Sequence, residues 1–457
     1  MTASKSKKNK YEIDMCNGTV LDKLISFSIP LMLSSILQLL FNAVDIVVVG
    51  RFSGSRALAA VGSTTALINV FTNLFIGVSL GANVLAARFY ATKQEKQMSE
   101  TVHTAVTFAL ISGIVMVFVG LFFSKAALLL MDTPSDVIGQ SALYMRIYFA
   151  GMPFFMLYNY GAAILRAVGD TKRPLFFLII AGIVNAALNL FLVIVLHLEV
   201  AGVAIATVIA QMISCLLVLR CLYRSDGSYQ LRFSAMTIKW IYLKQIFQVG
   251  IPAGIQSTVI NFSNVLLQSS VNSFGSIAMA GYTAANNIFG FLYAAANSIT
   301  QACMSFTSQN YGAGKWKRMD RVKVLRNCIL LSVVVSLILG GGSYLFGPEL
   351  LKIYTSDPKV IQCGMEILLY TTVTYFMCGL MDLFPGALRG MGYSAIPMLL
   401  SIIGTVGTRI VWIFMIFPRH RSLDVLFISY PASWLITIIL QVICYFFVRK
   451  RIHNPLP

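Results

Sequence analysis

The chain has 457 residues, of which 57% are hydrophobic and only 11% charged, and its formal net charge is +18. Soluble domains carry about a quarter charged residues, so these proportions exclude an ordinary water-soluble enzyme or binding module. A nucleic-acid partner would need the lysines and arginines gathered on one soluble face, whereas here they fall between long apolar runs.

The first apolar run, 24–50, follows a basic segment, 1–23; it is too long for a signal peptide and has no small-residue cleavage site. Further runs follow at 57–84, 102–123, 137–163, 175–196 and 200–222. After a polar break at 223–245 come 246–273, 278–306, 327–347, 360–387, 395–417 and 424–448, with a tail at 449–457. Each run is near the ~20 residues a helix needs to cross about 30 Å of hydrocarbon. Barrel strands would alternate over about ten residues instead. The predicted fold class is therefore an all-α integral membrane protein of 12 transmembrane helices. A six-helix lobe at 24–222 and another at 246–448 are expected on either side of the linker 223–245.

Charge sets the orientation. With the N-terminus in the cytoplasm, Arg88, Lys93, Lys96, Arg166, Lys172, Arg173, Arg220 and Arg224 fall on the cytoplasmic side. So do Lys315, Lys317, Arg318, Arg321, Lys323 and Arg326 in the second half. About 26 of the 35 basic residues lie on that side, as the positive-inside rule requires. Both termini are expected to be cytoplasmic and the chain to reside in the cell inner membrane.

The two lobes repeat each other. Ser28-Ile29-Pro30 returns as Gly250-Ile251-Pro252, and Gly54-Ser55-Arg56-Ala57-Leu58-Ala59 as Gly275-Ser276-Ile277-Ala278-Met279-Ala280. Leu165-Arg166-Ala167-Val168-Gly169 returns as Leu388-Arg389-Gly390-Met391-Gly392, followed by Pro174 and Pro397. One offset, roughly 222 residues, serves all of these landmarks. With an even number of helices per repeat, the halves are related by an axis along the membrane normal, and a transported molecule is expected between them.

Of seventeen acidic residues, Asp45, Glu366 and Asp382 lie inside predicted spans, where a charge costs at least ~2.5–3.5 kcal/mol. Asp45 precedes Arg51 by six residues, about 9 Å from the outer end of its helix. It shares a helical face with Ser34, Gln38 and Asn42, a polar stripe that must meet protein or water. On the fifth span Asn185 and Asn189 stand one turn apart, with Asn189 eight residues before His197; on the sixth, Thr207 follows Glu199 by eight. These four groups converge on one depth. Their carboxylate, amide and hydroxyl oxygens suit a sodium ion, or Asp45 alone a proton. The alternative for the asparagines and threonine is bonding between helices, worth roughly 0.6–2 kcal/mol each.

The second repeat has no acid matching Asp45, although its first helix bears Ser257, Asn261, Asn264, Gln268 and Asn272. Asn261, Asn264 and Gln268, with Gln38, Asn42 and Asp382, are candidate polar lining of a cavity. Asp382 is read as wet near the cytoplasmic mouth. Arg166 and Arg389 sit at helix ends, where long basic side chains snorkel, while Arg146 and Arg409 lie deeper and should bond carbonyls or neighbouring polar groups.

The eight cysteines form no C-x-x-C pair, and no histidine stands at ligand spacing, so neither a disulfide nor a resident metal is expected. Asn310-Tyr311-Gly312-Ala313-Gly314-Lys315 is not a phosphate loop, lacking the G-x-x-x-x-G-K-[ST] spacing and a preceding strand, and reads as a helix-ending turn. No catalytic constellation and no nucleotide motif appear, which disfavours an enzyme and an ATP-driven pump.

Taken in order, the landmarks resemble the multidrug and toxic compound extrusion (MATE) family, in its DinF- and NorM-like bacterial form, from Leu24 to Arg449. They are Phe27-Ser28-Ile29-Pro30 with Asn42-x-x-Asp45 and Gly50-Arg51, Ala57-Leu58-Ala59-Ala60-Val61-Gly62, and Leu165-Arg166-Ala167-Val168-Gly169-Asp170. Gly202-Val203-Ala204-Ile205-Ala206-Thr207, Gln309-Asn310-Tyr311-Gly312-Ala313 and Ala387-Leu388-Arg389-Gly390-Met391-Gly392 follow. The resemblance implies the two-bundle fold of the MOP superfamily and export of cationic or amphipathic drug-like molecules in antiport with Na+ or H+. It also implies that Asp45 is the coupling carboxylate, supported by Asn185, Asn189 and Thr207. Two departures bear on the ion: branches of the family place an aspartate where Asn189 stands, and others place acids in the seventh helix. The amides here favour sodium over a proton.

The expected partners are drug-like small molecules and the lipid bilayer, without ATP, nucleic acid or bound cofactor, the chain acting as a monomer. A lipid-linked oligosaccharide flippase would want a cavity rich in lysine and arginine to hold pyrophosphate, and only Arg146 and Arg409 are intramembrane cations. A channel or receptor would require neither a coupling carboxylate nor two equivalent halves.

Overall fold

The computed structural model describes residues 11–131, 133–315, 318 and 323–453. Lys317 and Arg321 of the charge asymmetry, and the outer parts of the two terminal segments, lie outside the described residues. Within lipid a backbone must satisfy its own hydrogen bonds, and helices do so throughout the described spans.

The first repeat contains α1 (Leu21–Phe52), α2 (Gly54–Ala91), α3 (Glu95–Leu130), α4 (Ile138–Ala150), α5 (Met152–Ala167), α6 (Lys172–Leu190, continued by a π-helical turn at Phe191–Val195) and α7 (Glu199–Tyr223). The second contains α8 (Trp240–Asn272), α9 (Ser276–Gly312), α10 (Lys323–Leu345), the short α11 (Gly347–Lys352), α12 (Pro358–Thr372) and α13 (Tyr375–Gly390). It closes with α14 (Ala395–Ser401), α15 (Thr408–Val411) and α16 (Leu423–His453), π-helical turns at Ile402–Gly407 and Trp412–Ile416 flanking α15.

Among the described residues eight helical runs are long and apolar enough to span a bilayer, and α12 with α13, bent by 43°, makes a ninth. The other three spans depart from that pattern for identifiable reasons. The α8 and α9 helices have ample length, 33 and 37 residues, but are dotted with serine, asparagine and glutamine. The α4–α5 span is interrupted at Gly151, followed by Pro153 in the first turn of α5, where a proline is tolerated because that N–H has no helical partner. A Cβ at Gly151 would also lie 2.6 Å from the Val208 side chain, so α7 packs against the break.

The sequence repeat has a structural cause in its glycines. Gly169 and Gly392 have φ of +95° and +92°, the left-handed conformation that glycine adopts without steric cost. Each ends its helix with the same pair of bonds. Gly169 N–H donates to Arg166 O at 3.0 Å and Asp170 N–H to Leu165 O at 2.9 Å, while Gly392 N–H donates to Arg389 O and Tyr393 N–H to Leu388 O at 2.8 and 2.9 Å. This is the Schellman closure of a helix C-terminus. Asn310 to Lys315 ends α9 in the same way, through Gly314 N–H to Tyr311 O and Lys315 N–H to Asn310 O, so that stretch is a helix-ending turn.

The chain folds into two compact units, Met1–Asp14 with Leu33–Ile251, and Met15–Met32 with Pro252–Pro457. Their seams fall beside the repeated Ile-Pro pairs inside α1 and α8, whereas the sequence places the boundary in the linker 223–245. In the first unit the beginning of α8 crosses α2 so closely that a Cβ at Gly81 would lie 2.1 Å from Ile246 O, and one at Gly250 2.4 Å from Val78 Cα. In the second unit the beginning of α1 packs on α9, Phe27 meeting Phe306 edge to face at 5.8 Å.

The segment preceding α1 is also divided. Glu12 accepts from Tyr90 and Tyr229 hydroxyls at 2.7 and 2.6 Å in the first unit. Beside it the Arg173 guanidinium lies over the Tyr11 ring and pairs with the buried Asp170. Burial raises the Asp170 carboxyl above its ordinary pKa, an effect that Arg173 opposes. In the second unit Asn310 Nδ2 donates to Met15 O at 3.1 Å, and Lys315 Nζ to Cys16 O and Asn17 Oδ1 at 3.0 and 2.6 Å.

Candidate functional site

Asp45 lies on α1 within the first unit, 6% exposed. Asn189 Nδ2, from the last turn of α6, donates to its Oδ1 at 2.5 Å, and Thr207 Oγ1, from α7, donates to its Oδ2 at 3.1 Å. Asn189 Nδ2 also donates to Asn185 Oδ1 at 3.2 Å, and Asn185 Nδ2 reaches Thr207 Oγ1 at 3.5 Å. Four side chains from three helices thus form a closed ring. All four were candidates from sequence, and the structure brings them together.

Local structure explains their placement. Asn185 and Asn189 are one turn apart and therefore stack on the same face of α6. The π turn begins at Phe191, two residues after Asn189, and such turns recur at functional positions because they release the regular ladder. Gly182, one turn before Asn185, has no side chain, and α1 approaches there: a Cβ would lie 1.6 Å from Phe41 Cζ.

Both donors facing Asp45 are neutral, and among the described residues no arginine, lysine or histidine forms an ion pair with it. An ionised carboxylate can accept about four bonds, so two have room for a further partner. Asn189 Oδ1 is buried beside it without a hydrogen-bond partner among the described residues. The ring is consequently rich in acceptors, the composition that a hard cation such as Na+ requires, and no transition-metal chemistry is implied by its donor set.

Sequence reasoning did not single out Tyr144 and Tyr148. They stack one turn apart on α4, ring centroids 6.2 Å from each other. Their four-residue spacing is visible in the sequence, but many aromatic residues here share it by facing lipid or core.

The remaining candidates separate. Gln38 and Asn42 are exposed on α1, as is Asn261 on α8. Asn264 is instead held by Arg409, whose Nη1 donates to its Oδ1 at 2.7 Å, and Gln268 donates to Asn272 at 2.9 Å. Asp382 on α13 is half-buried, as is Glu366 on α12. Arg146 is exposed, not interior. The snorkelling expected of Arg389 is corrected: its side chain is 9% exposed and donates to Gln256 Oε1 at 2.6 Å, because the chain end of α13 packs against α8 there.

Two repeats of apolar helices with polar groups buried inside them define a multi-pass membrane protein. The MatE family model matches twice, over residues 30–191 and 252–415, and the chain belongs to that family, the multidrug and toxic compound extrusion transporters. It is 29% identical to the probable multidrug resistance protein YoeA of Bacillus subtilis, over 93% of each chain. It is 25% identical to the probable multidrug resistance protein NorM of Thermotoga maritima, over 83% of this chain and 82% of that one. Among solved structures, an outward-facing multidrug resistance MATE transporter of the MOP superfamily superposes with a TM-score of 0.89 at 19% identity, covering 98% of this chain and 99% of that one. The Vibrio cholerae MATE transporter VcmN in its bent form gives 0.85 at 17% identity, covering 94% and 97%. The fold is that of twelve transmembrane helices in two six-helix bundles.

Proposed function

We propose that this chain is a secondary active multidrug exporter that exchanges cationic or amphipathic drug-like molecules for Na+ or H+. The observation that carries the reading is the Asp45 ring. A carboxylate at lipid depth costs several kcal/mol unless a positive charge accompanies it, and its neighbours offer only neutral donors. A mobile cation meets that need. When Na+ or a proton occupies Asp45 the unit carries no net charge there; when it leaves, the bare carboxylate favours a conformation open to water. Alternating occupancy of this kind couples an ion gradient to a change of access. The unpartnered Asn189 Oδ1 supports Na+, since an amide oxygen ligates a hard cation but takes up no proton at ordinary pH.

The exposed amides of Gln38, Asn42 and Asn261 supply neutral hydrogen-bonding groups suited to varied cargo. The basic asymmetry of the loops supports both termini in the cytoplasm of a cell whose inner membrane holds the protein. No pairing between chains enters the mechanism, and a monomer suffices.

Proteoliposomes loaded with a fluorescent organic cation provide the test. An imposed Na+ or H+ gradient should drive its movement, and Asp45→Asn should slow that movement by about 10- to 100-fold, the span of ordinary coupling free energies. Flux indifferent to both gradients would instead describe a channel.

A further inference from the structure

The second unit buries a charge of the opposite sign. Arg409 stands on α15, between the two π turns, and is 3% exposed. Its Nη1 donates to Ser263 Oγ at 2.9 Å and to Asn264 Oδ1 at 2.7 Å, both on α8. The guanidinium carbon lies 4.7 Å from the centre of the Tyr430 ring on α16, and the Tyr430 hydroxyl is 2.9 Å from that of Tyr282 on α9. Among the described residues no carboxylate forms an ion pair with Arg409.

The repeat makes the position meaningful. At the offset of about 223 residues that relates Gly169 to Gly392, Tyr430 stands where Thr207 does, and Arg409 falls beside the counterpart of Asn185. At the offset of 222 that relates Pro30 to Pro252, the buried Leu267 takes the place of Asp45. The same three helices of the repeat therefore hold a carboxylate ring in one unit and, with Tyr282 added from α9, a guanidinium cluster in the other.

Counting donors and acceptors shows what the cluster lacks. Ser263 and Asn264 use their oxygens on Nη1. Arg409 Nε is buried without a partner. The tyrosine pair has two hydroxyl protons and one mutual bond, so the proton of the accepting hydroxyl has no place in that bond. A positive charge is met, among the described residues, by the neutral oxygens of Ser263 and Asn264 and by the Tyr430 ring face. Guanidinium edges bind carboxylates and small anions through such N–H pairs.

We infer that Arg409, with Tyr282 and Tyr430, forms a second ligand site in this transporter, one that takes a monovalent anionic group, either a free halide or the carboxylate of a transported molecule. This site is independent of the cation proposed for Asp45.

The probes are chloride and acetate, added as sodium salts to the purified full-length chain in detergent. Sodium and ionic strength are held constant with sulfate, and thermal stability is followed against anion concentration. A saturable rise in the melting midpoint is expected. With chloride alone it identifies a free halide; with acetate as well, a carboxylate subsite. Arg409→Gln should weaken the apparent affinity at least about tenfold, and Asp45→Asn should leave the anion response unchanged. Tyr282→Phe, which keeps the ring and removes one hydroxyl, should weaken it by a smaller factor and serves if Arg409→Gln does not fold. No saturable response to either anion in the wild-type chain, or an unchanged response in folded Arg409→Gln or Tyr282→Phe, would overturn the assignment and leave Arg409 as an internal brace.

Discussion

Thr207 and Tyr430 occupy the same place in the two repeats, yet one donates a hydrogen bond to a carboxylate while the other lays its ring against a guanidinium. Around Asp45 the surplus is of acceptors, with Asn189 Oδ1 unpartnered; around Arg409 it is of donors, with Nε unpartnered. Each of these two sites keeps a charge that its hydrogen-bonded neighbours do not neutralise. The same scaffold occurs twice, with a carboxylate at the centre of one copy's polar cluster and a guanidinium at the centre of the other's. A buried charge of this kind is costly to keep for packing alone, which is why both sites are read as binding sites.

The comparison can be broken at several strengths. The largest effect is expected from Asp45→Asn, which removes the charge and retains the shape. Next comes Asn189→Ala, which deletes the shortest bond to the carboxylate together with the unpartnered oxygen. It should raise the half-saturating Na+ concentration for drug efflux about tenfold, as loss of a supporting ligand does at ion sites. Thr207→Val should do so by only about threefold, since interhelical bonds in lipid average about 0.6 kcal/mol. If Thr207→Val proves as damaging as Asn189→Ala in the same assay, the ring acts as one hydrogen-bonded unit and the amide oxygen has no special part. Smallest in consequence for the sites is Gly81→Ala. Its methyl group would press on Ile246 O from 2.1 Å, costing about 1–3 kcal/mol of stability, so the thermal midpoint should fall while half-saturating Na+ stays near wild type.

Much of this was legible in the sequence. Hydropathy marked most of the spans, because lipid demands long apolar helices, while the polar α8 and α9 and the broken α4–α5 stand out less by composition. The Asp45 ring was legible too, since depth counted along three helices brings Asn185, Asn189 and Thr207 level with the carboxylate. What stayed hidden depends on contacts across helices. Nothing in the run containing Arg409 names Ser263, Asn264 or Tyr430 as its partners, which come from α8 and α16. Arg389 looked like a surface anchor because helix ends usually are, and only the packing of α13 on α8 buries it beside Gln256. The passage of α1 and α8 between units at their Ile-Pro pairs was equally invisible, for a proline marks a weakness in a helix without saying what packs on either side of it. Tyr144 and Tyr148 were lost among 31 phenylalanines and 19 tyrosines of similar spacing.

The most direct measurement is equilibrium binding of Na+ to the purified chain, by titration calorimetry in a weakly buffered solution that also reports protons released. Wild type should bind Na+ saturably or, if the coupling ion is H+, release protons on titration across the working pH range, and Asp45→Asn should do neither while Arg409→Gln still does. Saturable Na+ binding and proton release in Asp45→Asn indistinguishable from wild type would contradict the assignment of Asp45 as the seat of the exchanged cation.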